Sequence, residues 1–287
     1  MNHLVEHVIS AMGTVVAIQL VGPDNEALLS RARSAMQWVH EVERICSRFD
    51  PDSELSRLCD VVGEPVPVSP LLEHLLDLAV AVARTSDGAF DPTVGSPPPA
   101  TWQSIQIDRA THTVTLHHPL RLDLGAIAKG FAVDLIAQEL HDLPDIAIDA
   151  GGDLYCRGHN LLGRPWSIGI RDPFVRGALL TRVSIDTGAI CTSGSYERRT
   201  ADGHHLIDPA TGRASQGLVS CTVVGESTAM ADALATAAFI LGRERGLPFL
   251  EAQGVDALLI DDRGDWHVVH AGGRVHPPGF QKDHPVS

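Results

Sequence analysis

Apolar residues recur along this chain in two rhythms, and the alternation between them lays out the elements. Residues 14–21 alternate as a strand does after Met12-Gly13. Beyond Pro23-Asp24 the apolar positions Leu28, Ala32, Ala35, Val39, Val42 and Cys46 step by three and four residues, which predicts one helix with one buried face. Residues 47–58 are polar, and Pro51 keeps them from being a simple helix. Ser69-Pro70 pairs a capping hydroxyl with a proline suited to the first helical turn, so a second helix starts there. Leu72, Leu75, Leu76, Ala79 and Ala83 give it a core face, and it ends near Asp87-Gly88. An ordered loop at 88–95 and a stiff break at Pro97-Pro98-Pro99 precede a hairpin made of residues 105–107 and 113–116.

The second half is organised around residues 121–134. Arg121-Leu122-Asp123-Leu124 reads as a short strand running into Gly125, and a helix follows with Ile127, Phe131, Leu135 and Ile136 on one face. Strand, Gly151-Gly152 turn and strand are expected over 145–157, with further strands at 166–170, 179–185 and 219–224. A strongly apolar helix over 228–241 stops at Gly242, as a left-handed cap would stop it. A hairpin around Asp262-Arg263-Gly264 joins 255–260 to 266–269, and a Gly-, Pro- and His-rich flexible tail is expected over 271–287. No repeat appears. The mixture reads as α+β, with largely antiparallel sheets and several long helices.

Composition narrows the function classes. At 287 residues, 44% hydrophobic and 20% charged, the chain can bury a substantial core. A formal charge of −14 with no Lys/Arg-rich run argues against a nucleic-acid surface. No stretch has the roughly 18 apolar residues a membrane span needs. The amino-terminal residues have no signal-peptide pattern, and a cytoplasmic location is expected. Five cysteines with no C-x-x-C pair read as reduced structural thiols.

Three places hold candidate chemistry. At the junction before the central helix, Asp123 and Lys129 stand near unpaired backbone N–H groups, a setting for an anionic ligand or simply a turn with a surface lysine. In the 228–241 helix, Asp232 and Thr236 lie four residues apart on one face. With a backbone carbonyl elsewhere they suit magnesium; alternatively Asp232 is a surface residue near the helix start and Thr236 bonds back to a carbonyl. The third place runs from Cys191 through Thr192, Ser193, Gly194 and Ser195 to Glu197, then His204 to Gly212. Small residues such as Ser193 and Gly194 let backbone amides approach a ligand. His205 is a candidate base that Asp208 would orient, and His204 is an equal candidate on composition. Asp186-Thr187-Gly188 has the look of an aspartic-protease loop, but no second Asp-Thr/Ser-Gly exists to share a proton. A doubly wound dinucleotide fold is disfavoured, since no G-x-G-x-x-G follows a strand.

Taken in order, these pieces resemble the ApbE-type FAD:protein FMN transferase family. The resemblance is carried by Met12-Gly13-Thr14, Ser47-Arg48-Phe49, Asp52 to Leu58, Gly88 to Gly95 and Leu122 to Asp134. It continues through Asp149-Ala150-Gly151-Gly152-Asp153, Trp166 to Ile170, Thr192 to Glu197, His205 to Gly212 and Ala231 to Thr236. It implies an ApbE-like (T-fold-like) domain over residues 1–270, as one body or two closely joined lobes. It also implies transfer of FMN from FAD to a threonine or serine hydroxyl of an acceptor protein, with release of AMP. Met12, Phe49, Ala89, Phe90, Asp91, Asp123 and Lys129 would then line the FAD site. The Ala126 carbonyl, Asp232 and Thr236 would hold Mg²⁺, and His205 would accept the hydroxyl proton. Hydrolysis of FAD to FMN and AMP, or FAD binding without chemistry, are the alternatives. Two departures from the family pattern stand out: no lipobox cysteine, and Pro97 to Trp102 in place of a longer segment.

Overall fold

The computed structural model describes residues 1–196, 199–200, 203–204, 206–274 and 280. The chain opens with a hairpin whose first strand the apolar pattern does not announce, β1 (His3–Ala11) against β2 (Thr14–Gly22). Its turn is Met12-Gly13, both with positive φ, 51° and 68°. The first expected helix is two, α1 (Asn25–Ala35) and α2 (Gln37–Cys46), hinged at Met36; every residue of the expected apolar stripe is buried. A short additional helix, α3 (Glu54–Cys59), starts inside the polar segment where the Ser53 hydroxyl accepts from the Ser56 N–H. Next come β3 (Pro65–Pro67) and α4 (Pro70–Thr85), capped by Ser69 as expected. β4 (Ile105–Asp108) and β5 (Thr113–Leu116) form the expected hairpin, with β3 added as its third strand.

Residues 121–124 are not a strand. Leu122 and Leu124 are buried, but the Asp123 N–H donates to the Pro92 carbonyl at 2.7 Å, which ties the segment to a loop instead of a ladder. The helix behind it, α5 (Ala128–Glu139), begins three residues beyond Gly125. β6 (Asp145–Ala150) and β7 (Asp153–Arg157) flank the Gly151-Gly152 turn, and β8 (Trp166–Arg171) pairs with β9 (Leu179–Ile185). β10 (Thr187–Gly194) follows, then two small ribbons, β11 (Arg199–Thr200) with β12 (Gly203–His204) and β13 (Ile207–Asp208) with β14 (Arg213–Ala214). β15 (Leu218–Gly225), α6 (Thr228–Ala252), β16 (Asp256–Asp261) and β17 (Trp266–His270) complete the chain. Gly242 does leave the helical region at φ 70°, yet helix resumes beyond it.

The α+β expectation holds. The frame is an eight-stranded sheet in the order β1-β2-β6-β7-β10-β15-β16-β17, with every neighbouring pair antiparallel. Its central strand β10 alternates its contacts: Ala189 and Cys191 join the helix-side core, whereas Ile190 packs with Val183 and Ile185 of the β8–β9 ribbon. The sheet is therefore covered on both faces there. Against the helix side lies α6, whose Ala229, Ala231, Ala233, Ala235, Ala237 and Ala238 are all buried. Small residues all round let it sit close to its neighbours. It crosses α5 closely, and there a Cβ on Gly130 would fall 2.5 Å from the Thr228 carbonyl oxygen. The Asp134 carboxylate closes the same crossing by accepting from the Thr228 and Ala229 N–H groups and the Ser227 hydroxyl, at 2.7, 3.0 and 2.7 Å.

The expected flexible tail starts out anchored. The N–H groups of Gly272, Gly273 and Arg274 donate to the buried Asp256 carboxylate, and Phe280 is buried beside the β8–β9 ribbon. Among the described residues, no helix is long and apolar enough to cross a membrane.

Candidate active site

The α5–α6 crossing and the loops around it enclose a cavity of about 720 Å³. At its inner end three elements each contribute one charge. Lys129, in the first turn of α5, reaches Asp153 at the start of β7 at 2.5 Å and Asp232 on α6 at 3.2 Å. Both carboxylates are buried, at 5% and 6% exposure. Burial alone would lower the lysine's pKa, but Asp232 and Asp153 outweigh it and hold the ammonium well above its usual value. Asp232 is thus no surface residue at a helix start. Thr236, one turn further on, does not merely bond back along its helix: its hydroxyl shares a hydrogen bond of 3.0 Å with that of Ser193 on β10.

The outer end is built from loops. Met12, held in its left-handed conformation, donates its N–H to the Glu43 carboxylate of α2 at 2.7 Å. Phe49 is 82% exposed at the rim, with the Arg48 guanidinium 4.4 Å above its ring and bonded in turn to Asp123 at 3.3 Å. Asp123 also accepts from the Gly125 N–H, shaping the turn that precedes α5. Asp91 spends its carboxylate on its own loop, accepting from the Thr93 N–H and hydroxyl and from the Trp102 N–H. Ala89 and Phe90 also line the cavity.

Met12, Phe49, Ala89, Phe90, Asp91, Asp123, Ala126, Lys129, Ser193, Asp232 and Thr236 all line this one cavity, although they come from six separate stretches of chain. Gly194 and Asp208 do not. Gly194 makes room for the Tyr196 ring, which a Cβ would meet at 2.6 Å. Asp208 closes its own turn, accepting from the Ala210 N–H and the Thr211 hydroxyl, while its neighbours Ile207 and Pro209 face the cavity. His205 lies outside the described residues. Asp153, Glu43 and Arg171, to which the sequence assigns no role, also line the cavity. For Asp153 a signal is present, because a carboxylate directly after a Gly-Gly turn and entering a buried strand requires a partner.

Among the described residues, the site joins an antiparallel α+β frame, a nucleotide-sized cavity and a lysine held between two buried carboxylates. The chain belongs to the ApbE family, whose model matches residues 12–259. It is 36% identical over 273 residues to the FAD:protein FMN transferase of Treponema pallidum (strain Nichols), covering 77% of this chain and 74% of that one. The corresponding protein of Vibrio cholerae serotype O1 is 32% identical over 273 residues, with 83% and 81% covered. Among solved structures, the flavin transferase ApbE from Vibrio cholerae superimposes with a TM-score of 0.85 at 27% identity, covering 98% of this chain and all 100% of that one.

Proposed function

We propose that this protein transfers FMN from FAD to a threonine or serine hydroxyl of an acceptor protein and releases AMP. The observation that carries this reading is the charged inner end of the cavity, where Lys129 meets Asp232 one helical turn from Thr236. A cavity of about 720 Å³ is in the upper part of the range for organic ligands. Five carboxylates and three cationic side chains line it. A pyrophosphate entering such a site needs added positive charge. The Asp232 carboxylate and Thr236 hydroxyl, together with the Ala126 carbonyl, would supply hard-oxygen donors of the kind Mg²⁺ favours, and all three residues line the cavity. Bound there, Mg²⁺ would draw charge from the pyrophosphate oxygens and favour departure of AMP.

The chain's own groups do the rest. Lys129 presents a permanent positive charge to a phosphate oxygen. The acceptor oxygen bonds to the FMN phosphorus as the bridging P–O bond breaks, and AMP carries away the bridging oxygen. His205 takes the hydroxyl proton. Phe49 and Met12 cover the flavin at the rim.

Purified protein incubated with FAD, with and without Mg²⁺ and an acceptor domain, tests this. AMP and covalent flavin appearing only with both additions is the expected result. AMP with free FMN regardless of acceptor would make the protein an FAD pyrophosphatase. Unaltered FAD in every sample would leave a binding protein.

A further inference from the structure

The transfer reading employs Lys129, Asp232 and Thr236 but gives no work to Asp153, the nearer of the lysine's two partners. Asp153 stands on a strand paired on both sides. It opens β7, which lies between β6 and β10. The turn before it packs closely on β2, since a Cβ on Gly151 would fall 2.2 Å from the Thr14 hydroxyl. Asp232 approaches the same ammonium from α6. Lys129 is therefore shared between a sheet and a helix.

One ammonium balances one of two carboxylates. A divalent cation on Asp232 and Thr236 has to take Asp232 from the lysine and then repels it, and a lysine with no other partner would leave on its flexible stem. Without Asp153, the same lysine would close on Asp232 and block the cation. We propose that Asp153 is a positioning residue: by taking the shorter contact with Lys129 it weakens the lysine's hold on Asp232, so that a divalent cation can compete for Asp232 and Thr236 while the ammonium stays beside the phosphate path. The inference rests on the metal site of the preceding reading. It makes Lys129 and the cation rivals for Asp232, with Asp153 setting the balance.

Mn²⁺ binding to the FAD-free protein, followed by electron paramagnetic resonance of the free ion, measures that balance without any turnover. D153N should weaken Mn²⁺ binding by roughly 10- to 100-fold, the range seen when groups supporting metal ligands are removed. K129M should bind Mn²⁺ more tightly than the wild type. The double variant K129M/D153N should recover, remaining within about threefold of K129M, because only the longer-range attraction of one carboxylate is lost. A double variant as weak as D153N would overturn the proposal and make Asp153 a ligand or a folding residue. Should D153N alone fail to fold, K129M against K129M/D153N decides the matter: similar affinities uphold the proposal and a large loss overturns it. A wild type that binds FAD but no Mn²⁺ would remove the metal reading itself, and this inference with it.

Discussion

The two ends of the cavity are built on opposite principles. At the inner end, Lys129, Asp153 and Asp232 are charges on an α-helix, a sheet strand and a second helix, both carboxylates buried and the lysine side chain only 17% exposed. At the rim, Arg48, Phe49 and Asp123 sit on loops, and Arg48 is half exposed. Buried pairs are costly to break because the surviving charge has no water to turn to, whereas exposed pairs contribute about 0–1 kcal/mol. On the proposed reading, chemistry falls to the inner end and recognition to the rim.

The largest expected effect comes from breaking the inner end. Asp232→Ala should lower kcat/KM for flavin transfer by about 10³-fold, the equivalent of several kcal/mol of charge stabilisation. Steady-state AMP release with saturating Mg²⁺ checks it, and a loss under tenfold would refute the assignment. Next is the frame on which that end depends. Gly130→Ala would ordinarily favour a helix, but its methyl group meets the Thr228 backbone, so the clash decides the sign and stability should fall by about 1–3 kcal/mol. Asp134→Ala removes the acceptor for three donors at the start of α6 and should cost about 1–2 kcal/mol in urea unfolding.

The rim should respond mildly. Phe49→Ala should leave the midpoint of unfolding unchanged, since the ring is 82% exposed, while raising KM for FAD by roughly tenfold, about 1.4 kcal/mol of binding. Equal losses of stability and binding would contradict the division between the two ends. The smallest effect concerns the thiols. Burial pushes Cys46 and Cys156 up to about 12, so in the folded protein near pH 8, close to the ordinary thiol value, both should resist alkylation. Half-buried Cys59 should react before them.

What can be read from the sequence divides along the same line. Helix faces such as Leu72, Leu75, Leu76 and Ala79 are legible because burial on one side imposes a period. β10 escapes such a reading, though it lies inside the large sheet: Gly188, Ala189, Ser193 and Gly194 carry little β-propensity, and the strand is specified by burial on both faces. The strand expected at 121–124 fails for the opposite reason, because alternating Leu122 and Leu124 are buried without a ladder partner. The rim and metal-site candidates are legible through family motifs, and the cavity gathers eleven of them. The link from Lys129 to Asp153 is not, since an ion pair across 24 residues leaves no periodic trace.

The distance along the chain between Lys129 and Asp232 has a consequence for the order of events at the ribosome. The two residues stand 103 positions apart, and the close crossing of their helices at Gly130 and Thr228 exists only once both helices have been made. A nascent chain that has emerged only through β7 already carries its lysine and Asp153, but lacks Asp232 and Thr236. Flavin chemistry therefore switches on late in synthesis, in a single step, when the alanine-rich helix docks, and a chain truncated before residue 228 should be chemically silent rather than partly active.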